Sequence, residues 1–167
     1  AARQGMARTF QNLRIFENMS VLENVLVGCH RHERSGFWSC CLGLPRQRAE
    51  ERRSRETAME VLAMVGLDEL CDRPATSLPY GQRRLVEIAR ALASKPRLLL
   101  LDEPAAGMNT AERADLVKKI AAIRASGITI LLVEHDIDLV MGISDFVNVL
   151  NYGELIASGS AEEVRTD

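Results

Sequence analysis

The chain has 167 residues, 21 Lys and Arg against 23 Asp and Glu, and a formal net charge of −2. That length allows one domain of ordinary size or two small lobes sharing a core, and 47% hydrophobic with 26% charged residues is the composition of a soluble globular protein. The balance excludes a nucleic-acid grip that relies on bulk positive charge, and the apolar runs at 98–101 and 128–133 are too short to span a bilayer.

In chain order, a short strand is expected around 7–10, followed by a loop. Ser20 with Glu23 three residues on forms a capping box ahead of Val21, Leu22, Val25 and Leu26, so a helix starts there. A Gly- and Pro-bearing loop follows, and then a charged helix over 46–65. Its later part puts Ala58, Val61, Leu62 and Val65 on one face, and Gly66 stops it. In its first part five arginines interleave with three glutamates over 46–56, which reads as an exposed face with i,i+4 pairs. A polar turn over 72–77 leads to a helix over 82–94.

The character then changes. Lys95-Pro96 breaks the helix, and an apolar run ends in Asp102-Glu103-Pro104. Such a run reads as a strand buried on both faces in a parallel sheet. A helix with Thr110 as N-cap runs to Ala125, and 128–133 is a second buried strand, so the two strands and their crossover helix make a βαβ unit. A short helix over 137–141 precedes a hairpin that turns at Asn151-Tyr152-Gly153. The chain therefore divides into a mostly helical first part and an α/β last part.

Three groups of residues carry chemistry. A carboxylate pair at the C-terminal end of a buried strand stands where open α/β sheets bind ligands, and Asp102-Glu103 fits a metal-holding Asp beside a water-polarising Glu. Gly81 opens a helix whose first amides are free to meet an anion such as phosphate. His135 falls just past the second strand, on the edge from which Asp102 and Glu103 emerge. Elsewhere the signals are bland. His30 and His32 have no third metal ligand nearby, and Trp38 is a core or partner-facing residue. The cysteines at 29, 40, 41 and 71 form no CxxC pair and read as reduced thiols in a cytosolic compartment.

Taken together these motifs resemble the nucleotide-binding subunit of ATP-binding cassette (ABC) transporters, in the family's order and over essentially the whole chain. Gln11 matches the Q-loop glutamine, and Leu78, Pro79, Tyr80, Gly81 and Gln82 match the signature motif, with Ile88-Ala89-Arg90-Ala91-Leu92 at the family's spacing. Asp102-Glu103 matches Walker B with its catalytic glutamate, 105–109 the D-loop with Asn109, and His135 the switch histidine. The wording of 12–25, 78–81, 103–109 and 134–145 is similar to the ATPases of branched-chain amino acid importers. The resemblance implies an α/β P-loop NTPase fold, here a partial, mainly parallel sheet with helices plus an α-helical subdomain. It divides the chain into 1–15, the Q-loop end of the core; 16–94, the helical subdomain; and 95–167, the C-terminal part of the RecA-like core.

The function implied is ATP binding and hydrolysis driving import, with ATP and Mg²⁺ as cofactors. Glu103 and His135 would be catalytic, Asp102 and Gln11 would hold the metal, and Gln11, the signature residues and Asn109 would contact nucleotide. The implied partners are a second ABC ATPase subunit, integral membrane permeases docked near 11–38 and, indirectly, a periplasmic binding protein; no nucleic acid is implied. The implied place is the cytoplasmic face of the bacterial inner membrane, held peripherally, and no secretory leader opens the chain.

The departures are specific. The family's Walker A loop, GxxxxGKS/T, belongs upstream of Gln11, and the only lysines here are 95, 118 and 119, none in a Gly-rich loop. Pro79 stands at the signature Ser and lacks both hydroxyl and N–H, Tyr80 replaces a Gly, and Asn109 stands where many D-loops have Asp. With no initiator Met, and with an end inside a helical pattern, the sequence is read as a piece of a longer ATPase. The alternatives are a non-catalytic remnant or regulatory module and, less well matched, the chromosome-maintenance ATPases, whose long coiled coils have no counterpart between Gln11 and Leu78.

Overall fold

The computed structural model describes residues 5–9, 13–29 and 45–166. Gln11, His30, His32, Trp38, Cys40 and Cys41 lie outside the described residues. Strand β1 is Met6–Arg8, helix α1 Val21–Cys29, α2 Pro45–Val65 and α3 Tyr80–Ala93. Then come β2 (Leu98–Asp102), α4 (Thr110–Ala125), β3 (Thr129–Val133), α5 (Ile137–Ile143), β4 (Val147–Asn151), β5 (Glu154–Gly159) and α6 (Ala161–Thr166). Two single 3₁₀ turns, Asp68–Leu70 and Ala75–Ser77, fill the polar segment between α2 and α3.

β1, β2 and β3 pair in parallel in that order, and β4 and β5 form a separate antiparallel hairpin. The β2–α4–β3 crossover is the expected βαβ unit. The hairpin turns through Tyr152 and Gly153 with φ of 48° and 87°, the pair of left-handed residues that a two-residue hairpin requires.

Local chemistry sets most boundaries as the sequence implies. The Ser20 amide donates to Glu23 Oε2 at 2.7 Å while Ser20 Oγ accepts from the Glu23 amide at 3.2 Å, so the capping box forms. In α2, Ala58, Val61, Leu62 and Val65 are all buried, Arg52 pairs with Glu56 at 2.9 Å on the outer face, and Gly66 ends the helix at φ +71°.

Three expectations need correction. Asn109, not Thr110, caps α4, its Oδ1 accepting from the Glu112 amide at 3.0 Å while Glu112 Oε2 takes the Asn109 amide at the same distance. An amide side chain with Glu at N3 outcompetes the threonine one residue on. Helix α3 starts at Tyr80 rather than 82, because Pro79 fixes an extended entry (φ −54°, ψ 158°) and the next residues can wind at once. The third concerns the strands read as buried on both faces. In β2, Leu99 and Leu101 are fully buried but Leu98 and Leu100 only half so, and in β3 Leu131 and Val133 are 51% and 55% exposed. Alternate side chains of β3 point to opposite faces of the sheet, and the face bearing Thr129, Leu131 and Val133 is left uncovered among the described residues.

One continuous apolar cluster joins Val21 and Val25 of α1, Leu62 of α2, Ile88 of α3, Leu99 and Leu101 of β2 and Ile120 and Ile123 of α4. Two devices fix α1 within it. Asn24 is buried and clamps the loop before the helix, its Oδ1 accepting the Phe16 amide at 2.8 Å and its Nδ2 donating to the Phe16 and Ser20 carbonyls at 3.1 and 2.9 Å. Gly28 lets α1 and α3 touch backbone to backbone, since a Cβ there would lie 2.1 Å from the Arg90 carbonyl oxygen. We predict that Gly28→Ala destabilises the protein by about 2 kcal/mol, overpacking outweighing the gain in helix propensity. A thermal melt that is unchanged or raised would contradict this close approach.

Candidate functional site at the carboxyl edge of the parallel sheet

Parallel pairing sets Asp102 opposite Val133, so the residues that follow β2 and β3 emerge side by side. That brings Asp102 and Glu103 next to Glu134 and His135, as the sequence implies. Asp102 Oδ2 accepts a 2.7 Å hydrogen bond from Arg8 Nη2 at the end of β1, so the carboxylate is already balanced by a cation. Glu103 takes a left-handed backbone, φ +44°, which costs a non-glycine residue about 1–2 kcal/mol. Three contacts hold it there: its amide donates to the Val133 carbonyl at 2.9 Å, and its carbonyl accepts from Arg84 Nη2 at 3.2 Å and from the Ala106 amide at 3.2 Å.

His135 is 75% exposed, with Nδ1 3.8 Å from Glu134 Oε2. The signature residues behave in different ways. Leu78 is buried in the apolar cluster, Gly81 is buried, and Pro79 and Tyr80 face outward. Pro79 offers no side-chain cap, so the amides of Tyr80, Gly81 and Gln82 at the start of α3 have no acceptor inside the helix. The Tyr80 ring packs on Gly107 of the D-loop segment, 3.3 Å from where a Cβ would stand, and Gly107 has φ +75°. A side chain at Gly81 would meet Glu112 Oε1 at 2.7 Å. Bare glycines at 81 and 107 thus leave room for the Glu112 and Tyr80 side chains where the signature turn meets the start of α4. Asn109 spends its side-chain oxygen on capping α4.

The sequence reading missed the residues that hold this edge together. The Glu134 side chain is only 1% exposed, and its Oε1 accepts the Ala105 amide at 2.9 Å. Arg113 donates Nε to the Met108 carbonyl at 3.2 Å and Nη1 to Asp136 Oδ2 at 2.8 Å, while Asp136 caps α5 through the Leu139 amide. The segment after Glu103 is thus tied twice to the segment around His135. Arg84 and Glu87, spaced like a surface i,i+3 pair, turn out to be buried inside the fold. Next to them, burial draws the Arg90 guanidinium below its ordinary range and the Glu87 carboxylate pushes it partly back.

Among the described residues no group of three or more His, Cys, Asp or Glu could hold a metal ion, and neither Cys29 nor Cys71 is in a disulfide. A lone carboxylate such as Asp102 nonetheless suits Mg²⁺, which keeps several waters and takes its other ligands from substrate phosphates. The uncapped start of α3 suits a phosphate oxygen.

Comparison with known proteins agrees with this geometry. The ABC transporter family model matches residues 1–106. The chain is 46% identical over 165 residues to the high-affinity branched-chain amino acid transport ATP-binding protein BraF of Pseudomonas aeruginosa, an alignment covering 98% of this chain and 65% of that one. It is 43% identical to LivG of Escherichia coli K12, a protein of the same description, over 99% of this chain and 66% of the relative. A nucleotide-free ATP-binding cassette from an ABC transporter superposes with a TM-score of 0.79 at 34% identity, over 99% of this chain and 66% of that structure. The chain belongs to the ABC transporter family, and its fold is the α/β fold of the ABC ATPase domains. It spans just under two thirds of the length of the curated relatives it matches.

The buried Glu134 carboxylate has a measurable consequence. Glu134→Ala strands the Ala105 amide and should cost about 2 kcal/mol in urea unfolding, whereas Glu134→Gln keeps an acceptor in reach and should cost less than half of that. Equal losses for the two variants would rule out the hydrogen bond as the tie.

Proposed function

We propose that this chain belongs to an ATP-hydrolysing subunit of a bacterial importer for branched-chain amino acids. The observation that carries the reading is the sheet edge itself, where a strand delivers Asp102-Glu103 beside His135 on the neighbouring strand. The branched-chain amino acid transport for which BraF and LivG are named supports the cargo class. In this reading Asp102, with Gln11 as a further ligand, would hold Mg²⁺, and Glu103 would orient and polarise the attacking water. The left-handed turn at Glu103 fixes where that carboxylate starts from. His135, exposed at the same edge, would meet the transferred phosphoryl group. The amides of Tyr80, Gly81 and Gln82 offer donors to phosphate oxygens, with Leu78 anchoring that turn in the core, and Pro79 supplies no donor. Asn109 acts mainly through the cap it gives α4. When bound, Mg²⁺ supplies charge neutralisation at the phosphates.

The reading divides the chain into the Q-loop end of the core over 1–15, a helical subdomain over 16–94 and the C-terminal part of the core over 95–167. It places the protein peripherally at the cytoplasmic face of the inner membrane. Its partners are a second ABC ATPase subunit, a membrane permease and, through the permease, a periplasmic binding protein. No described helix is long and apolar enough to cross a membrane. The permease would dock near Leu13, Ile15 and Phe16, of which Phe16 is 45% exposed.

Two measurements test this. In the full-length protein Glu103→Gln should bind ATP normally while steady-state hydrolysis falls about a hundredfold or more. Near-normal turnover would remove Glu103 from the role. Calorimetry with Mg-ATP should show no tight binding to residues 1–167 alone, since no lysine here lies in a Gly-rich loop. A form extended upstream through a GxxxxGKS/T loop should bind. Failure of the extended form would favour the non-catalytic module instead.

A further inference from the structure

Helix α3 carries ionised side chains at 84, 87 and 90, three residues apart, so they follow one another along one side of it. Arg84 has no exposed side-chain surface and Glu87 only 2%, and Nη1 of the first donates to Oε2 of the second at 2.8 Å. One turn on, Arg90 Nη2 lies 3.8 Å from Oε1 of Glu87. Both ends of this row leave the helix. Arg84 Nη2 donates to the Glu103 carbonyl at 3.2 Å. Arg90 Nη2 donates to the Arg14 carbonyl at 2.5 Å, and its guanidinium stands over the Phe16 ring, 5.4 Å from the centre.

A buried ion pair is a poor means of stabilising a helix, because the cost of desolvation about cancels the attraction. Apolar residues of similar volume would pack at least as well at two positions as enclosed as 84 and 87. What apolar residues lack is a donor for a distant carbonyl at each end. The guanidinium fork of Arg84 does this with one nitrogen on Glu87 and the other on the Glu103 carbonyl, while Arg90 faces Glu87 as an ion pair, without a hydrogen bond, through the same Nη2 that reaches Arg14.

We propose that Arg84, Glu87 and Arg90 form an internal link that carries displacement of the 13–16 segment to the backbone of Glu103. Arg84 and Arg90 are positioning residues in it and Glu87 is the joint between them. The inference rests on reading Glu103 as the general base and 13–16 as the permease-facing segment. In it the signature helix transmits motion through its side as well as presenting amides at its start.

The test uses the full-length protein and two readouts, Mg-ATP turnover and amide hydrogen exchange over 103–108. Removing one charge alone would strand the other, so the first variant replaces both, Arg84→Met with Glu87→Leu. We expect a melting temperature close to wild type, an unchanged KM for ATP, and a kcat lowered about tenfold by misplacement of Glu103. Exchange over 103–108 should rise by about the same factor. Wild-type kcat and exchange in this variant would make the row purely structural and overturn the proposal. Should the double variant melt far below wild type, Arg84→Lys takes its place with the same expected split, since it keeps the charge beside Glu87 and loses the fork.

The second variant, Arg90→Gln, should raise exchange over 103–108 about threefold, but only where Arg84 and Glu87 are intact. An equal rise in both backgrounds, or none in either, would overturn transmission along the row. If the unsubstituted protein does not hydrolyse ATP, the ATPase reading falls by itself, and the exchange measurements still decide the link.

Discussion

The pairing of β2 with β3 is the constraint from which the candidate site follows. Because the strands are parallel and Asp102 lies opposite Val133, whatever follows either strand must leave on the same side. An antiparallel pairing, or a slip of one residue, would turn the carboxylates and the histidine away from one another. The α4 crossover makes the parallel arrangement possible, and its apolar residues Leu116, Ile120 and Ile123 share the cluster that buries Leu99 and Leu101. Strand pairing alone, however, brings the loops only roughly together.

Finer placement comes from groups that tie one loop to another. The stretch from Glu103 to Asn109 contains two left-handed residues, Glu103 and Gly107, and forms no regular element of its own. Besides two turn hydrogen bonds of its own, its amides and carbonyls are taken up from outside: by Val133 of β3, by Arg84 of α3, by the Glu134 carboxylate and by Arg113 of α4. Buried backbone groups must find partners somewhere, and here those partners belong to the elements that carry the other candidate residues. The strain at Glu103 persists because β3 and α3 hold its peptide groups from outside while the Ala106 amide holds its carbonyl within the turn.

Much of this was legible in the residues. The capping box at Ser20, the buried face of α2, the stop at Gly66 and the βαβ unit each depend on chemistry confined to a few neighbouring positions. The motif residues that the structure describes also fall where their order in the chain suggests. The misses had a common cause. Asn109 and Thr110 are both competent caps, and only the geometry of Glu112 chooses between them. The alternation in β3 could be taken for burial because an apolar strand looks the same whether or not a neighbour covers it. Glu134, Arg113 and the Arg84–Glu87 pair could not be found locally. A carboxylate beside a histidine, or an arginine three residues from a glutamate on a helix, reads as solvated until the fold encloses it. No local signal flags the pair: at helical spacing Glu87 falls on the same side of α3 as Arg83 and Arg90, and only the fold encloses it.

The close crossing of α1 and α3 at Gly28 also has a mechanical meaning. Where two helices meet backbone to backbone there is no cushion of side chains to deform, so the contact behaves as a fulcrum. Arg90 lies at that point and Tyr80 at the far end of the same unbroken helix, which makes α3 a lever with a long arm. At 1.5 Å per residue the arm is about 15 Å, so a tilt of about four degrees swings the amides at its tip by about 1 Å. That is the distance over which a donor passes from engaged to disengaged, and a single missing methyl group sets the pivot.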